Sequence, residues 1–151
     1  MKITASFVAF VALASTAAGQ MNYTNCASGP TQFQMTSATW SPSPACIGKD
    51  ICAVGTGTLD TPIIEGATLS LTARYLGRLV YTDNHDFCAV LAAQGTPCPV
   101  AAGAAVLKGC VKIKENVPPN VAAVFKTVAV NGDGGTIFCA EVDKAMASTC
   151  A

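Results

Sequence analysis

The 151-residue sequence predicts an all-β, disulfide-bonded antiparallel sandwich of seven or so short strands. Three observations carry that prediction. Several runs alternate apolar and polar residues with the two-residue period of a half-buried strand. Turn-forming residues punctuate the chain at intervals of about 8–12 positions, the spacing of all-β domains. Eight cysteines, an even number, fit a fold tied by bridges within one chain.

Gln32-Phe33-Gln34-Met35-Thr36 alternates cleanly and forms the first strand. Ser41-Pro42-Ser43-Pro44 stops it, because proline donates nothing to a sheet ladder. Cys46 and Cys52 bracket Ile47-Gly48-Lys49-Asp50-Ile51, a spacing compatible with a local bridge across a turn. Eight cysteines allow on the order of a hundred pairings, so spacing alone leaves the connectivity open. Gly55-Thr56-Gly57-Thr58-Leu59 is an extended Thr/Gly piece. It lacks the third glycine and the Lys-Ser/Thr of a phosphate-cradling loop, and no helical pattern follows it.

Residues 67–75 make the clearest strand: Leu69, Leu71, Ala73 and Tyr75 alternate with Thr68, Ser70, Thr72 and Arg74. Leu79-Val80-Tyr81-Thr82 follows Gly77 as a second strand. Asp83-Asn84-His85-Asp86-Phe87-Cys88 is the most polar stretch and reads as a loop, as does Gly95-Thr96-Pro97-Cys98-Pro99. Val111 and Ile113 alternate with Lys112 and Lys114 in another strand with one wet face, before Pro118-Pro119-Asn120 breaks the chain. Residues 121–130 and 136–142 are β-rich runs joined by Asn131-Gly132-Asp133-Gly134-Gly135, a hairpin signal. Within the first of them, Lys126 directs Phe125 and Thr127 inward.

Residues 1–19 read as a secretory signal peptide and residues 20–151 as one domain. Lys2 supplies the positive start, Phe7-Val8-Ala9-Phe10-Val11-Ala12-Leu13-Ala14 the apolar stretch, and Ala17-Ala18-Gly19 the small residues of a cleavage site. The apolar run is too short to cross about 30 Å of hydrocarbon as an anchor. The expected location is therefore extracellular, or the lumen of the secretory and endolysosomal pathway. All eight cysteines lie beyond the leader, where an oxidising compartment would join them. Asn22-Tyr23-Thr24 is a glycosylation sequon, which makes Asn22 an acceptor candidate.

Charge narrows the function. Nine basic residues balance nine acidic ones, so no basic excess exists to displace counterions from a nucleic acid. With 51% apolar residues and only 12% charged, the chain is built for a packed interior, not for disorder. The single histidine and the irregular cysteine intervals do not match a zinc site, and no metal or cofactor is expected. Asp83-His85-Asp86 is the one group resembling an acid–base site. Neighbours in a loop rarely face one another as a relay requires, and no Gly-x-Ser-x-Gly nucleophile accompanies them. Nine acids without distinguishing context are a thin basis for glycoside cleavage. The reading is a non-enzyme.

Asp86-Phe87-Cys88 followed by Gly95-Thr96-Pro97-Cys98-Pro99-Val100-Ala101-Ala102-Gly103 resembles the ML domain family, the MD-2-related lipid-recognition proteins that include Niemann-Pick type C2 proteins. Asn25-Cys26, Trp40-Ser41-Pro42 ahead of Cys46 and Cys52, Gly66-Ala67-Thr68-Leu69 and Ile137-Phe138-Cys139 follow in the same order. The resemblance covers about residues 24–143 and is strongest to the fungal or oomycete phosphatidylglycerol/phosphatidylinositol transfer branch. It implies an immunoglobulin-like sandwich with an internal lipid cavity. It also implies pairing of Cys26 with Cys139, Cys46 with Cys52, and Cys88 with Cys98, which leaves Cys110 for Cys150. The implied lining is Leu69, Leu71, Tyr75, Val111, Ile113, Phe125 and Phe138. The implied ligand is a sterol or phospholipid, carried by a monomer that touches membranes transiently. Lys108, Lys112 and Lys114 are read as a solvated strand face. Two rivals remain in view. A helical eight-cysteine transfer protein needs adjacent Cys-Cys and Cys-x-Cys, which do not occur. A secreted interaction protein, an elicitor or lipid-loaded receptor co-factor, would use the same sandwich.

Overall fold

The computed structural model describes residues 19–145 and 147–150. The signal-peptide reading lies outside the described residues except at Gly19. Among the described residues, eleven strands and one short helix follow one another: β1 (Gly19–Gln20), β2 (Thr24–Asn25), β3 (Phe33–Ser41), β4 (Ala45–Cys46), β5 (Asp50–Leu59), β6 (Thr68–Tyr75), β7 (Arg78–Asp86), α1 (Phe87–Ala92), β8 (Gly103–Lys112), β9 (Ala123–Val130), β10 (Thr136–Ala145) and β11 (Ala147–Ser148). One layer has the order β1-β3-β5-β8 and the other β2-β10-β9-β6-β7, all antiparallel within each layer. The small pair β11 and β4 runs parallel beside them. β8 and β7 each form one edge of their layer, and α1, which packs against both, marks the side of the sandwich they share.

The registers define two ends. At one, Phe33, Leu59 and Gly103 lie level across the first layer, and Thr68, Asp86 and Val130 across the second. At the other, Ser41, Cys52 and Cys110 are level, and Arg74 pairs with Leu79 and Val124. Asn131 fastens the first end. It is 2% exposed. Its Nδ2 donates to Gln32 Oε1 at 2.7 Å and to Pro62 O at 2.8 Å, while its Oδ1 accepts from Ile64 N at 2.9 Å and Gly132 N at 2.8 Å. A buried amide with every group paired stabilises the turn it sits in, and loss of it would strand its partners. Gly132 is obligatory beside it, since a Cβ there would lie against Glu65 O.

Among the described residues the ladders carry four register shifts, and three of them set which side chains face inward. In β3 the pairing passes from Met35 to Ser37, so Thr36 is the extra residue. Phe33 and Met35 before it, and Ala38 and Trp40 after it, all reach the interior despite opposite parity. Val80 is extra in β7, and Ile137 in β10, where both Ile137 and its neighbour Phe138 join the core.

The polar stretch 83–88 is not a loop. Asp83 to Asp86 complete β7, an edge strand whose outer face is free to be polar, and Asp86 caps α1 by accepting from Ala89 N at 3.0 Å. Phe87 of that helix meets Phe138 edge-on with ring centroids 6.1 Å apart.

All eight cysteines are bridged, with two pairings as the resemblance implies and two different. Cys26–Cys139 and Cys88–Cys98 form. Cys46 joins Cys150 instead of Cys52, and Cys52 joins Cys110. The register explains the exchange. Cys52 lies directly opposite Cys110 in the β5–β8 ladder, while Cys46 lies opposite Ser148 and so close to Cys150. The bridges close spans of 113, 104, 58 and 10 residues. Each of the long ones removes about 4–5 kcal/mol of unfolded-state entropy in the loop-closure picture.

Candidate functional site

Among the described residues, inward alternation from both layers leaves two neighbouring chambers between the sheets. The inner one, about 120 Å³, is lined from β3 by Phe33, Met35, Ala38 and Trp40, and from β5 by Ile51, Ala53 and Gly55. The second layer adds Leu69 and Leu71 of β6, Phe125 and Thr127 of β9, and Phe138 and Ala140 of β10. Leu107 and Val111 of β8 and Phe87 and Leu91 of α1 close the side. Gly55 keeps the space open, because a Cβ there would contact Met35 Sδ at 3.2 Å and Phe33 Cε1 at 3.5 Å. Apart from Thr127 and Lys108, every residue around the inner chamber is apolar or glycine.

The outer chamber, about 70 Å³, lies toward the end opposite Asn131 and is lined by Ala73, Val80, Tyr81, Ile113, Val117, Pro118 and Val121, with Ala45, Ala123 and Ala147. Trp40, Ile51 and Phe125 border both chambers and form the waist between them. Neither chamber reaches the roughly 300–1,000 Å³ that encloses a whole small molecule.

Five of the seven expected lining residues, Leu69, Leu71, Val111, Phe125 and Phe138, border the inner chamber, and Ile113 borders the outer one. Tyr75 does not. β6 outruns the interior after Ala73, and Tyr75 stands 42% exposed beside the Leu76-Gly77 turn. Trp40, Ile51, Met35 and Tyr81 were not legible as lining residues. Bulges at Thr36 and Val80 break the alternation that would have identified two of them.

The hairpin between β6 and β7 is unusual. Tyr75 pairs with Arg78 around a two-residue turn in which Leu76 and Gly77 both have positive φ, 49° and 75°. That turn suits Asn-Gly or Gly-Gly, and a leucine in it is strained. Leu76 is nevertheless 84% exposed, with Tyr75 and Leu79 also exposed and Arg74 and Arg78 on either side. This apolar tip projects from the rim of the outer chamber, three residues beyond Ala73.

Asp83 and His85 do meet, contrary to the expectation for loop neighbours, because alternate residues of a strand share a face. His85 Nε2 lies 2.9 Å from Asp83 Oδ2. Asp83 also receives Lys114 Nζ at 2.8 Å on Oδ1 and the Tyr81 hydroxyl at 3.3 Å on Oδ2. Burial works to raise the Asp83 pKa, but Lys114 and His85 outweigh it and hold the carboxyl below its ordinary value. Burial, then the adjacent Asp83 charge and hydrogen bond, push the Tyr81 phenol up to about 12. A phenol held neutral is a poor nucleophile, and Asp86 is occupied as a helix cap. The cluster therefore ties side chains together instead of forming a relay.

Glu65, Cys88 and Cys98 come close enough for a metal trio among the described residues, but both cysteines are spent in a disulfide.

Comparison with known proteins agrees with this architecture. A Niemann-Pick type C2 protein from the Japanese carpenter ant superposes with a TM-score of 0.63 at 12% identity, covering 86% of this chain and 100% of that one. Chicken MD-1, solved in complex with lipid IVa, gives 0.51 at 11% identity, covering 86% of this chain and 97% of that one. At these identities the likeness is one of fold. Two curated relatives named phosphatidylglycerol/phosphatidylinositol transfer protein match at 30% identity. The Candida albicans protein matches over 79 residues, 52% of this chain and 41% of its own length. The Aspergillus oryzae protein matches over 99 residues, 66% of this chain and 56% of its own length. The matches thus span about half the length of these relatives. The ML domain model matches residues 20–146, and the chain belongs to that family, a lipid-recognition family and not one of enzymes.

Proposed function

We propose that the protein is a secreted carrier that takes up one lipid, a sterol or a glycerophospholipid, between its two sheets and delivers it without chemical change. The observation that carries this reading is the apolar interior itself. A chain of this size normally fills its core, yet a chamber of about 120 Å³ stands between the sheets, walled almost wholly by apolar side chains, with Gly55 adding none of its own. Leu69, Leu71, Val111, Phe125 and Phe138 would contact the apolar body of the ligand, and Ile113 the part in the outer chamber. The names of the curated relatives support a phospholipid, and the MD-1 complex with lipid IVa is in keeping with a lipid ligand.

A second feature supports transient contact with membranes. Leu76 occupies a strained, exposed position between two arginines, where a polar residue would suit the fold better. Inserted into a headgroup layer, Leu76 and Tyr75 would lose apolar surface to lipid while Arg74 and Arg78 met anionic phosphates. The four bridges suit a secretory-pathway chain, in line with residues 1–19 acting as a leader and Asn22, which is exposed, as a glycan acceptor.

Transfer between vesicles tests the proposal. Dehydroergosterol and a pyrene-labelled phosphatidylglycerol are each placed in donor vesicles, and their arrival in acceptors is timed. The protein is expected to accelerate at least one. Failure to accelerate either, with no uptake from donors, would move the receptor co-factor reading forward.

A further inference from the structure

An amphipath cannot pass into chambers this small unless a wall moves, and the structure differs in how firmly each wall is held. Along the β10–β3 side, the layers are joined by Gln32 N to Thr136 O at 2.9 Å, by Gln32 Nε2 to Asp133, and by the Tyr23 hydroxyl to Met35 O at 3.1 Å. The opposite side, between the free edges of β7 and β8, is covered near the Asn131 end by α1 and its Cys88–Cys98 bridge. Toward the other end, among the described residues, the polar contacts crossing this seam all belong to one side chain. Lys114 Nζ reaches Asp83 Oδ1 at 2.8 Å and Thr82 O at 3.2 Å, and lies 5.8 Å from the centre of the Tyr81 ring.

The segment that carries Lys114 is also the wall of the outer chamber. Ile113, Val117, Pro118 and Val121 line it from one side and Tyr81 from the other. Ile113 stays bound on the β5 side, donating to Lys49 O at 2.9 Å and accepting from Gly48 N at 2.9 Å, but beyond it the stretch makes no strand until Ala123. Its far part is held by Asn120 N to Ala147 O at 2.7 Å. Parting Lys114 from Asp83 therefore frees the seam directly over the chamber, without breaking any sheet ladder.

We propose that the lipid enters and leaves between β7 and residues 113–121, and that the Lys114–Asp83 pair is the latch of this portal. The inference rests on the lipid-carrier reading and names its route and the residues that control it. His85 and Tyr81 are positioning residues, which hold the Asp83 carboxylate toward Lys114. The Lys114 side chain is 49% exposed and Asp83 12%, so the latch is weak enough to open and is reached by solvent.

Stopped-flow uptake and release of cis-parinaric acid and of dehydroergosterol test the portal in wild type, Lys114→Met, Asp83→Asn and the control Lys112→Met. Lys112 is an exposed lysine at the end of β8, two residues before Lys114 and outside the latch. Both latch variants are expected to speed uptake and release together by about fivefold, leaving the equilibrium affinity unchanged. The control should match wild type. Added salt should speed exchange in wild type but not in Lys114→Met, an arm that holds even if Asp83→Asn folds poorly. Unchanged rates in Lys114→Met, or an equal change in Lys112→Met, would overturn the portal while leaving the carrier reading intact. A wild-type protein that takes up neither probe would overturn both.

Discussion

The two ends of this sandwich are built on opposite principles. At the Asn131 end, polar groups are buried and fully paired, the turn glycine admits no side chain, and a disulfide fastens the helix that closes the seam. At the hairpin end, apolar side chains stand in solvent, a leucine holds a strained turn, and one half-exposed ion pair closes the seam over an apolar chamber. Buried polar pairing is concentrated at one end and access at the other, where Cys46–Cys150 and Cys52–Cys110 still tie the strands beside the opening. A carrier needs both, because a lipid must pass through a wall that opens while the rest of the fold stays in place.

Changes at the closed end should cost the most stability and leave ligand exchange alone. Asn131→Ala strands the Ile64 and Gly132 amides and Pro62 O, and is expected to lower unfolding free energy by about 3 kcal/mol. Denaturant titration measures this. A loss below about 1 kcal/mol would show that this end is not the anchor. In the interior between the ends, Gly55→Val places methyl groups against Met35 and Phe33. It should weaken lipid binding more than tenfold at a stability cost of about 1–2 kcal/mol. Equilibrium titration with cis-parinaric acid reads the first and thermal unfolding the second.

At the hairpin end the expected sign reverses. Leu76→Asn relieves left-handed strain and should raise stability by about 1 kcal/mol, while vesicle association falls severalfold. A stabilised variant that still binds anionic vesicles normally would remove the tip from the mechanism. The smallest effect is a titration. Tyr81 has a folded pKa of about 12 against the ordinary 10.0, so the fold favours its neutral form. That contribution is complete below pH 10 and lost as pH rises toward 12. Tyrosinate absorbance should show one of the three tyrosines ionising last, and Tyr81→Phe should delete that step.

Much of this plan was legible in the residues. Strict alternation exposed β6, the Asn-Gly-rich run announced the β9–β10 hairpin, and Lys126 fixed the inward face of β9. Two of the illegible side chains share one physical cause. A one-residue bulge flips the parity of everything beyond it, so Trp40 and Tyr81 could not be assigned to the interior from a fixed period. Register also decided the cysteines. Cys46 and Cys52 are near in sequence, but β5 carries Cys52 opposite Cys110, and β11 brings Cys150 to Cys46. Only the second half of β7 was hidden, for another reason: an edge strand has a wet side, and its Asp83, His85 and Asp86 imitate a loop.

Native mass spectrometry of the oxidised, secreted protein, followed by extraction and identification of bound lipid, tests the central claim most directly. One sterol or phospholipid per chain, lost in Gly55→Val, is the result this account predicts. A protein that emerges without lipid and takes up neither probe would contradict it and show that the chambers are packing voids.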